Sequence, residues 1–273
     1  MGKKRELDSL KAYTRALKQG FGIGEGDSYR PWIRLEDIGN IATAIKIQGI
    51  KAKRTHHLLS QGEKQFFYLA EFSPRVLDIR EQFPLLPLDL AIQVAQCLDV
   101  TYPKVPATQT PHVMTTDFLL TLEPNETSRS RYMAVSVKPR KDLAKERTLE
   151  KLEIERVWWE LLGVPFYIFT GSPECKSKAD DIAWLSLGRR RGDIVDRSSL
   201  MDALKLIQPG TFSLTEICEE IQQTLLVGRE QALTLFKSLV VDGLVSLSFH
   251  HSILETQLVE IIAIKHAETV CWT

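Results

Sequence analysis

Two stretches suited to a β-sheet flank a turn, and each carries one charge where burial is expected. Val113–Leu122 and Arg131–Lys138 are mostly apolar or β-branched, and Pro124-Asn-Glu-Thr-Ser128 between them is rich in turn formers. Together they predict a hairpin. Asp117 lies mid-run in Thr115-Thr-Asp-Phe-Leu119, and Lys138 ends Ala134-Val-Ser-Val-Lys138. Alternation puts Ser136 and Lys138 on one face, and Thr115, Asp117 and Leu119 on one face of the neighbouring strand. In a suitable register Asp117 and Lys138 project together. A carboxylate in such a strand is costly to bury unless it is paired or holds a metal. Two readings follow. One is a cross-strand ion pair on a half-exposed sheet. The other is a Mg²⁺-dependent phosphodiesterase site: the carboxylate holds a hard cation through oxygen, the cation polarises phosphate and lowers the pKa of its bound water, and the lysine orients that water and offsets phosphate charge. The residues alone favour the ion pair and leave the metal site open.

The surrounding pattern predicts an α/β core. Ser60–Phe72 reads as a helix with Ser60 as N-cap, and Val76–Phe83 alternates like a strand. A proline-punctuated connection follows, with a short helix near Asp89–Gln96. After the hairpin come a long helix, Asp142–Leu162, stopped by Gly163, and a short apolar strand, Phe166–Phe169. Helices thus cover a small mixed sheet over residues 60–170. Residues 1–55 read as a basic, glycine-rich arm with one short helix, Asp8–Lys18. Gly20, Gly22, Gly24 and Gly26 resemble a phosphate loop only superficially, because no strand precedes them and no Lys-Ser/Thr closes them. Gly171-Ser-Pro173 marks a break. Beyond it, helices at Ser213–Ile221 and Gly228–Val241 precede strands at Leu244–Phe249 and Gln257–Ile264, which flank a His250-His-Ser252 turn. That order predicts a winged-helix domain, giving domains at 1–170 and 171–273.

The 273 residues are 44% apolar and 26% charged, which excludes a disordered chain and a disulfide-dense module. The 35 Lys/Arg and 35 Asp/Glu sum to zero, which at first argues against nucleic acid. The sum hides a split. Residues 1–170 hold 25 basic and 21 acidic residues, a net of +4, and residues 171–273 are at −4. Arg129–Arg147 alone carries seven basic residues, suited to phosphate contacts or simply solvated. Cys97, Cys175, Cys218 and Cys271 form no metal-ligand spacing, so free thiols in a reducing compartment are expected. No apolar stretch follows the basic start, the position that a myristoylation signal wants as Ser or Thr holds Glu6, and no run is long enough for a membrane helix. A cytoplasmic protein is expected.

One carboxylate seldom holds Mg²⁺ well. Glu63 is a candidate second ligand, although Ser60-Gln-Gly-Glu63 also fits a capping box in which Glu63 reaches back to the Ser60 amide. Glu150, Glu153 and Glu155 on the long helix are others, although each by itself reads more readily as solvated helix surface.

Several ordered blocks carry a resemblance: Arg54-Thr-His-His-Leu-Leu-Ser60, Val76–Pro87, Met114-Thr-Thr-Asp-Phe118, Val137-Lys-Pro139 and Glu146–Arg156. Together, over roughly residues 20–170, the chain resembles the TnsA family, the endonuclease subunits of heteromeric bacterial transposases. Beyond residue 170 the likeness is one of architecture and length. The resemblance implies a restriction-endonuclease-like catalytic domain followed by a winged helix. It implies Glu63, Asp117 and Lys138 as catalytic residues, with Glu155 as the helix glutamate. It implies Mg²⁺, with Mn²⁺ able to substitute, held by Glu63, Asp117 and the Val137 carbonyl. The position two before the lysine, usually acidic or glutamine, is Ser136 here, which leaves a direct or water-mediated metal contact there as alternatives. The implied partners are transposon-end DNA, a TnsB-like DDE transposase that cuts and joins the 3′ strands while this chain cuts the 5′ strands, and a TnsC-like AAA+ ATPase docking on the C-terminal domain. A non-catalytic DNA-binding adaptor and a stand-alone restriction-like nuclease are the alternatives.

Among the remaining motifs, His56-His57 point different ways, which suits structural or phosphate contacts better than a shared metal. Trp158-Trp159 reads as core, and Arg189-Arg-Arg191 as a solvated loop or a contact with DNA or TnsB. The helix Gly228–Val241 offers few basic residues, so its domain is expected to dock protein rather than read a groove.

Overall fold

A computed structural model describes residues 4–39, 43–124 and 131–265. The chain divides into two compact units, Met1–Ser172 and Pro173–Thr273.

The first unit contains helix α1 (Leu10–Lys18), a two-stranded ladder of β1 (Ile45–Gln48) and β2 (Thr55–Leu58), helix α2 (Gln61–Phe72), strand β3 (Val76–Pro84), helix α3 (Leu88–Cys97), strands β4 (Thr115–Leu122) and β5 (Tyr132–Val137), helix α4 (Glu146–Leu161) and strand β6 (Phe166–Phe169). The main sheet has the order β3-β4-β5-β6. Its first three strands are antiparallel, and β5 and β6 are parallel. A parallel pair needs a crossover, and α4 supplies it. The sheet is therefore mixed, as expected. Phe66 of α2 packs against Phe118 and Phe169 on one face. Leu119 and Ala134 meet Ile154, Trp158, Trp159 and the apolar side of α3 on the other. With both faces covered, β3 loses the simple alternation its sequence suggests: Arg80, Glu81 and Gln82 are all buried.

The described part of the first 55 residues is not a loose arm. Tyr13, Ala16, Phe21, Trp32 and Val113 form a buried cluster, the Trp32 N–H donates to the Gln82 carbonyl, and the Tyr29 hydroxyl donates to the Glu81 carbonyl at 3.0 Å. The glycine series serves this folding back. Gly22 has φ +75°, and a Cβ there would lie 2.5 Å from Pro84 Cγ, so the loop approaches β3 only as glycine. The long helix is shorter than its pattern. Residues Arg140–Ala144 form a 3₁₀ turn, and extended Lys145 separates it from α4. The turn expected at Asn125–Ser128, Arg129 of the basic stretch, Met1-Gly2 and Cys271 lie outside the described residues.

The second unit contains α5 (Pro173–Leu185), α6 (Leu187–Arg191), α7 (Arg197–Leu206), β7 (Gly210–Ser213), α8 (Leu214–Leu225), α9 (Arg229–Val241), β8 (Val245–Ser248), α10 (Ile253–Thr256) and β9 (Leu258–Ile264). Ser213 and Glu216 form a capping box that starts α8 at the end of β7. The expected two-stranded ribbon gains β7, giving a three-stranded antiparallel sheet of order β7-β9-β8. Arg189–Arg191 lie on a helix rather than a loop, with Arg189 paired to Asp242. Asp181, buried, caps α10 by accepting from the Ile253 and Leu254 amides at 3.0 Å. No helix among the described residues is long and apolar enough to cross a membrane.

Candidate active site

The site forms where β4 begins, β5 ends and the first turn of α2 meets them. Phe118 pairs with Val135 in the antiparallel register, so Asp117 falls beside Ser136 just past the end of the ladder. Lys138 follows β5 directly. Its Nζ donates to Asp117 Oδ2 at 2.8 Å and to the Val137 carbonyl at 3.0 Å. The same Oδ2 accepts from the Val137 amide at 2.6 Å and the Ser136 hydroxyl at 3.3 Å. Among the described residues, Oδ1 has a single hydrogen-bonding neighbour, Gln82 Nε2 at 3.5 Å. The sequence thus placed Asp117 and Lys138 together, and the ion pair is formed.

Glu63 reaches the same place because α2 begins close against β5. A Cβ at Gly62 would stand 2.9 Å from Val137 Cγ1, so glycine admits this approach. Ser60 caps the helix as expected, its hydroxyl accepting from the Glu63 amide at 3.2 Å. The return bond differs from the expected box. Glu63 Oε2 accepts from the Leu59 amide, and Oε1 accepts from the Ser60 hydroxyl, both at 2.9 Å. Glu63 is therefore both cap and site residue.

Glu155 enters from α4, fully enclosed, with Oε1 lacking any hydrogen-bond partner. The hydroxyls of Thr116 and Ser136 act on its carboxyl to lower its pKa, against the larger effect of burial, and Trp159 Nε1 donates to Thr116 Oγ1 at 2.6 Å. Glu150 and Glu153 stay outside: they pair with Arg147 and Arg156 on the exposed face of α4.

The electrostatics describe a site short of positive charge. Burial, then the Asp117 charge, push Glu63 up to about 7 and Glu155 up to about 8. Burial alone would lower the Lys138 ammonium, but Asp117, Glu155 and Glu63 outweigh it, and its pKa is raised. Among the described residues no three His, Cys, Asp or Glu side chains make a metal centre by themselves. The donors present are nevertheless the hard oxygens that suit Mg²⁺: carboxylates of Glu63 and Asp117 and the Val137 carbonyl. Mg²⁺ is commonly held by one or two carboxylates with substrate phosphates and water completing the shell. The orphaned Glu155 oxygen and the raised Glu63 and Glu155 values fit that group.

Gln82 is the residue that sequence reasoning missed. It joins Glu63 and Asp117 through one amide nitrogen. Nothing in Ile79-Arg-Glu-Gln-Phe83 marks it, because the contact depends on three elements meeting. Elsewhere, His56 and His57 do diverge. His56 Nδ1 lies 2.9 Å from Glu81 Oε2 inside the core, whereas His57 Nδ1 accepts from the Leu35 amide. Trp158 and Trp159 are core residues, packed edge to face.

The chain is similar to known proteins in two respects. The family described as "TnsA-like endonuclease N terminal" matches residues 73–171. That span includes Asp117, Ser136, Val137, Lys138 and Glu155 and begins after Glu63. The chain is also similar to the transposon Tn7 transposition protein TnsA of Escherichia coli, with 30% identity over 241 residues, 88% of this chain and 86% of that protein.

Proposed function

Because this chain belongs to the TnsA family, we propose that it is a Mg²⁺-dependent endonuclease subunit of a heteromeric transposase, cutting the 5′ strands at transposon ends. The observation that carries this reading is the convergence of Asp117, Lys138 and Glu63 from three elements on one point at the sheet's end, with Glu155 beneath them.

Glu63, Asp117 and the Val137 carbonyl would hold the cation, with Mn²⁺ able to replace Mg²⁺. When bound, it supplies Lewis-acid polarisation of the scissile phosphate and a more acidic water. The chain's own residues do the rest. The Val137 amide and Lys138 both bind Asp117 Oδ2, which leaves Oδ1 turned towards the site. Lys138 Nζ, part-exposed and anchored on the Val137 carbonyl, presents its charge to the phosphate and orients the attacking water. Ser136 is engaged by the Asp117 and Glu155 carboxylates, which makes it a positioning residue more than a ligand. The Asp117 carboxylate, paired with Lys138 at 2.8 Å, keeps the ammonium protonated.

The partners follow the family. A DDE transposase of the TnsB kind would cut and join the 3′ strands, and a TnsC-like AAA+ ATPase would dock on the second unit. The order α8, α9, β8, β9 supports a winged helix there, and that unit's net charge of −4 suits protein docking better than groove reading.

Asp117→Ala should abolish 5′-strand cleavage in the reconstituted complex while the partner transposase still binds the ends. A substituted protein that still cuts would refute the assignment. The second reading, an adaptor that binds DNA without cutting, draws on Ser136 in place of an acidic residue. Cleavage by the wild-type complex in Mg²⁺ or Mn²⁺ separates the two.

A further inference from the structure

Gln82 occupies a position that an ordinary strand residue does not. Its backbone has φ +49°, left-handed and uncommon for a residue with a side chain. The β3–β4 ladder pairs Glu81 with Phe118 and Phe83 with Thr116 around it. Its carbonyl accepts from the Trp32 amide at 3.2 Å, so the N-terminal segment holds the distorted backbone in place. Strain of this kind persists only where surrounding contacts over-determine it, and it gathers at functional sites.

The distortion delivers the side chain to the carboxylates. Nε2 lies 3.4 Å from Glu63 Oε2 and 3.5 Å from Asp117 Oδ1. The Thr115 hydroxyl donates to Oε1 at 3.0 Å, which fixes the end of the amide that faces the acids. Gln82 is buried, and it carries no charge of its own.

Resting on the function proposed above, we propose that Gln82 is a positioning residue of the nuclease site, a neutral clamp that holds the Glu63 and Asp117 carboxylates at the spacing a divalent cation needs. A neutral donor suits the task. Its two N–H groups offset the repulsion between the acids, and a lysine there would compete with the cation for them. Contacts of this length are at the weak end of hydrogen bonding, so they orient the oxygens without saturating them. Groups that orient metal ligands without touching the metal commonly govern affinity by ten- to a hundredfold.

The test is Mn²⁺ binding to the full-length protein, measured by titration calorimetry beside thermal unfolding. Gln82→Met keeps the bulk and removes the donors. Gln82→Gly removes the side chain while accepting the left-handed backbone without strain. Both should bind Mn²⁺ about ten- to a hundredfold more weakly than wild type, and Gln82→Gly should melt no lower than Gln82→Met. Wild-type affinity in either variant overturns the clamp. Should Gln82→Met fail to fold, Gln82→Gly decides alone. Asp117→Ala is the reference: if it binds Mn²⁺ as wild type does, or wild type does not bind, the metal site itself is refuted and the clamp with it. If Asp117→Ala loses binding and the Gln82 variants keep it, only the clamp falls.

Discussion

At Asp117 the two carboxylate oxygens have different surroundings, and that asymmetry organises the site. Oδ2 is saturated by the Val137 amide, Lys138 and Ser136, while Oδ1 has one long contact. Asp117→Asn removes the charge but not the shape. It costs the Lys138 ion pair and relieves the repulsion on Glu63 and Glu155. Its melting temperature should therefore stay within about 4 °C of wild type, a shift worth about 1 kcal/mol in a domain of this size, while cleavage is lost. A large drop in melting temperature would mean that the site is organised chiefly for stability. Asp117 and Lys138 were legible as a pair because strand alternation and a turn between two runs are local signals. The exact partners of Glu63 were not, because a first-turn glutamate has two backbone amides within reach and the sequence does not choose between Ser60 and Leu59. Gln82 was invisible for a stronger reason. Its role depends on a left-handed backbone angle held by Trp32, fifty residues away in the chain.

At the scale of elements, the β1–β2 ladder is tied to the sheet by a buried charge network. Arg54 donates to Glu81 Oε1 at 2.8 Å and Oε2 at 2.7 Å, and the His57 amide donates to Oε1 at 3.0 Å. Burial would raise the Glu81 pKa, but His56 and Arg54 outweigh it and hold the carboxyl well below its ordinary value of 4.5. A depressed acid contributes stability that is present above its unfolded value and lost as pH falls through the folded one. Wild-type stability should accordingly decline between about pH 5 and pH 2, with this group among the causes. Glu81→Gln should cost about 3–5 kcal/mol at neutral pH, since it leaves buried Arg54 without its carboxylate, and its urea midpoint should vary less with pH on the acid side. Equal acid sensitivity in both proteins would show that other carboxylates dominate. Sequence reading found α2, α4 and the four strands of the main sheet but passed over α5. The break expected at Gly171-Ser-Pro173 is where the two units divide, and Pro173 is also the first residue of that helix, where its missing N–H costs nothing.

For the whole molecule, the neutral sum conceals a first unit at +4 and a second at −4. Much of the basic charge is already engaged: Lys145 pairs with Asp142 and Arg147 with Glu150. The first unit's excess is only +4 and the whole chain is neutral, so the isolated chain should bind DNA weakly, with affinity falling steeply between about 50 and 200 mM salt. A gel shift showing tight, salt-resistant binding by the chain alone would contradict this account. The split was readable from composition once a boundary was chosen. The packing of the first 55 residues was not, because a segment rich in glycine and basic residues gives no period from which to infer Trp32 against Val113.

The edge-to-face pair Trp158 and Trp159, with ring centroids 4.8 Å apart, also gives the protein a built-in optical probe. The two indoles sit in fixed, asymmetric contact, and Trp159 is one hydrogen bond from Thr116, the neighbour of Asp117 and partner of Glu155. Their near-ultraviolet dichroism and emission should therefore respond when a divalent cation or a DNA end reaches the site. Occupancy could then be followed in solution without attaching a dye to the chain.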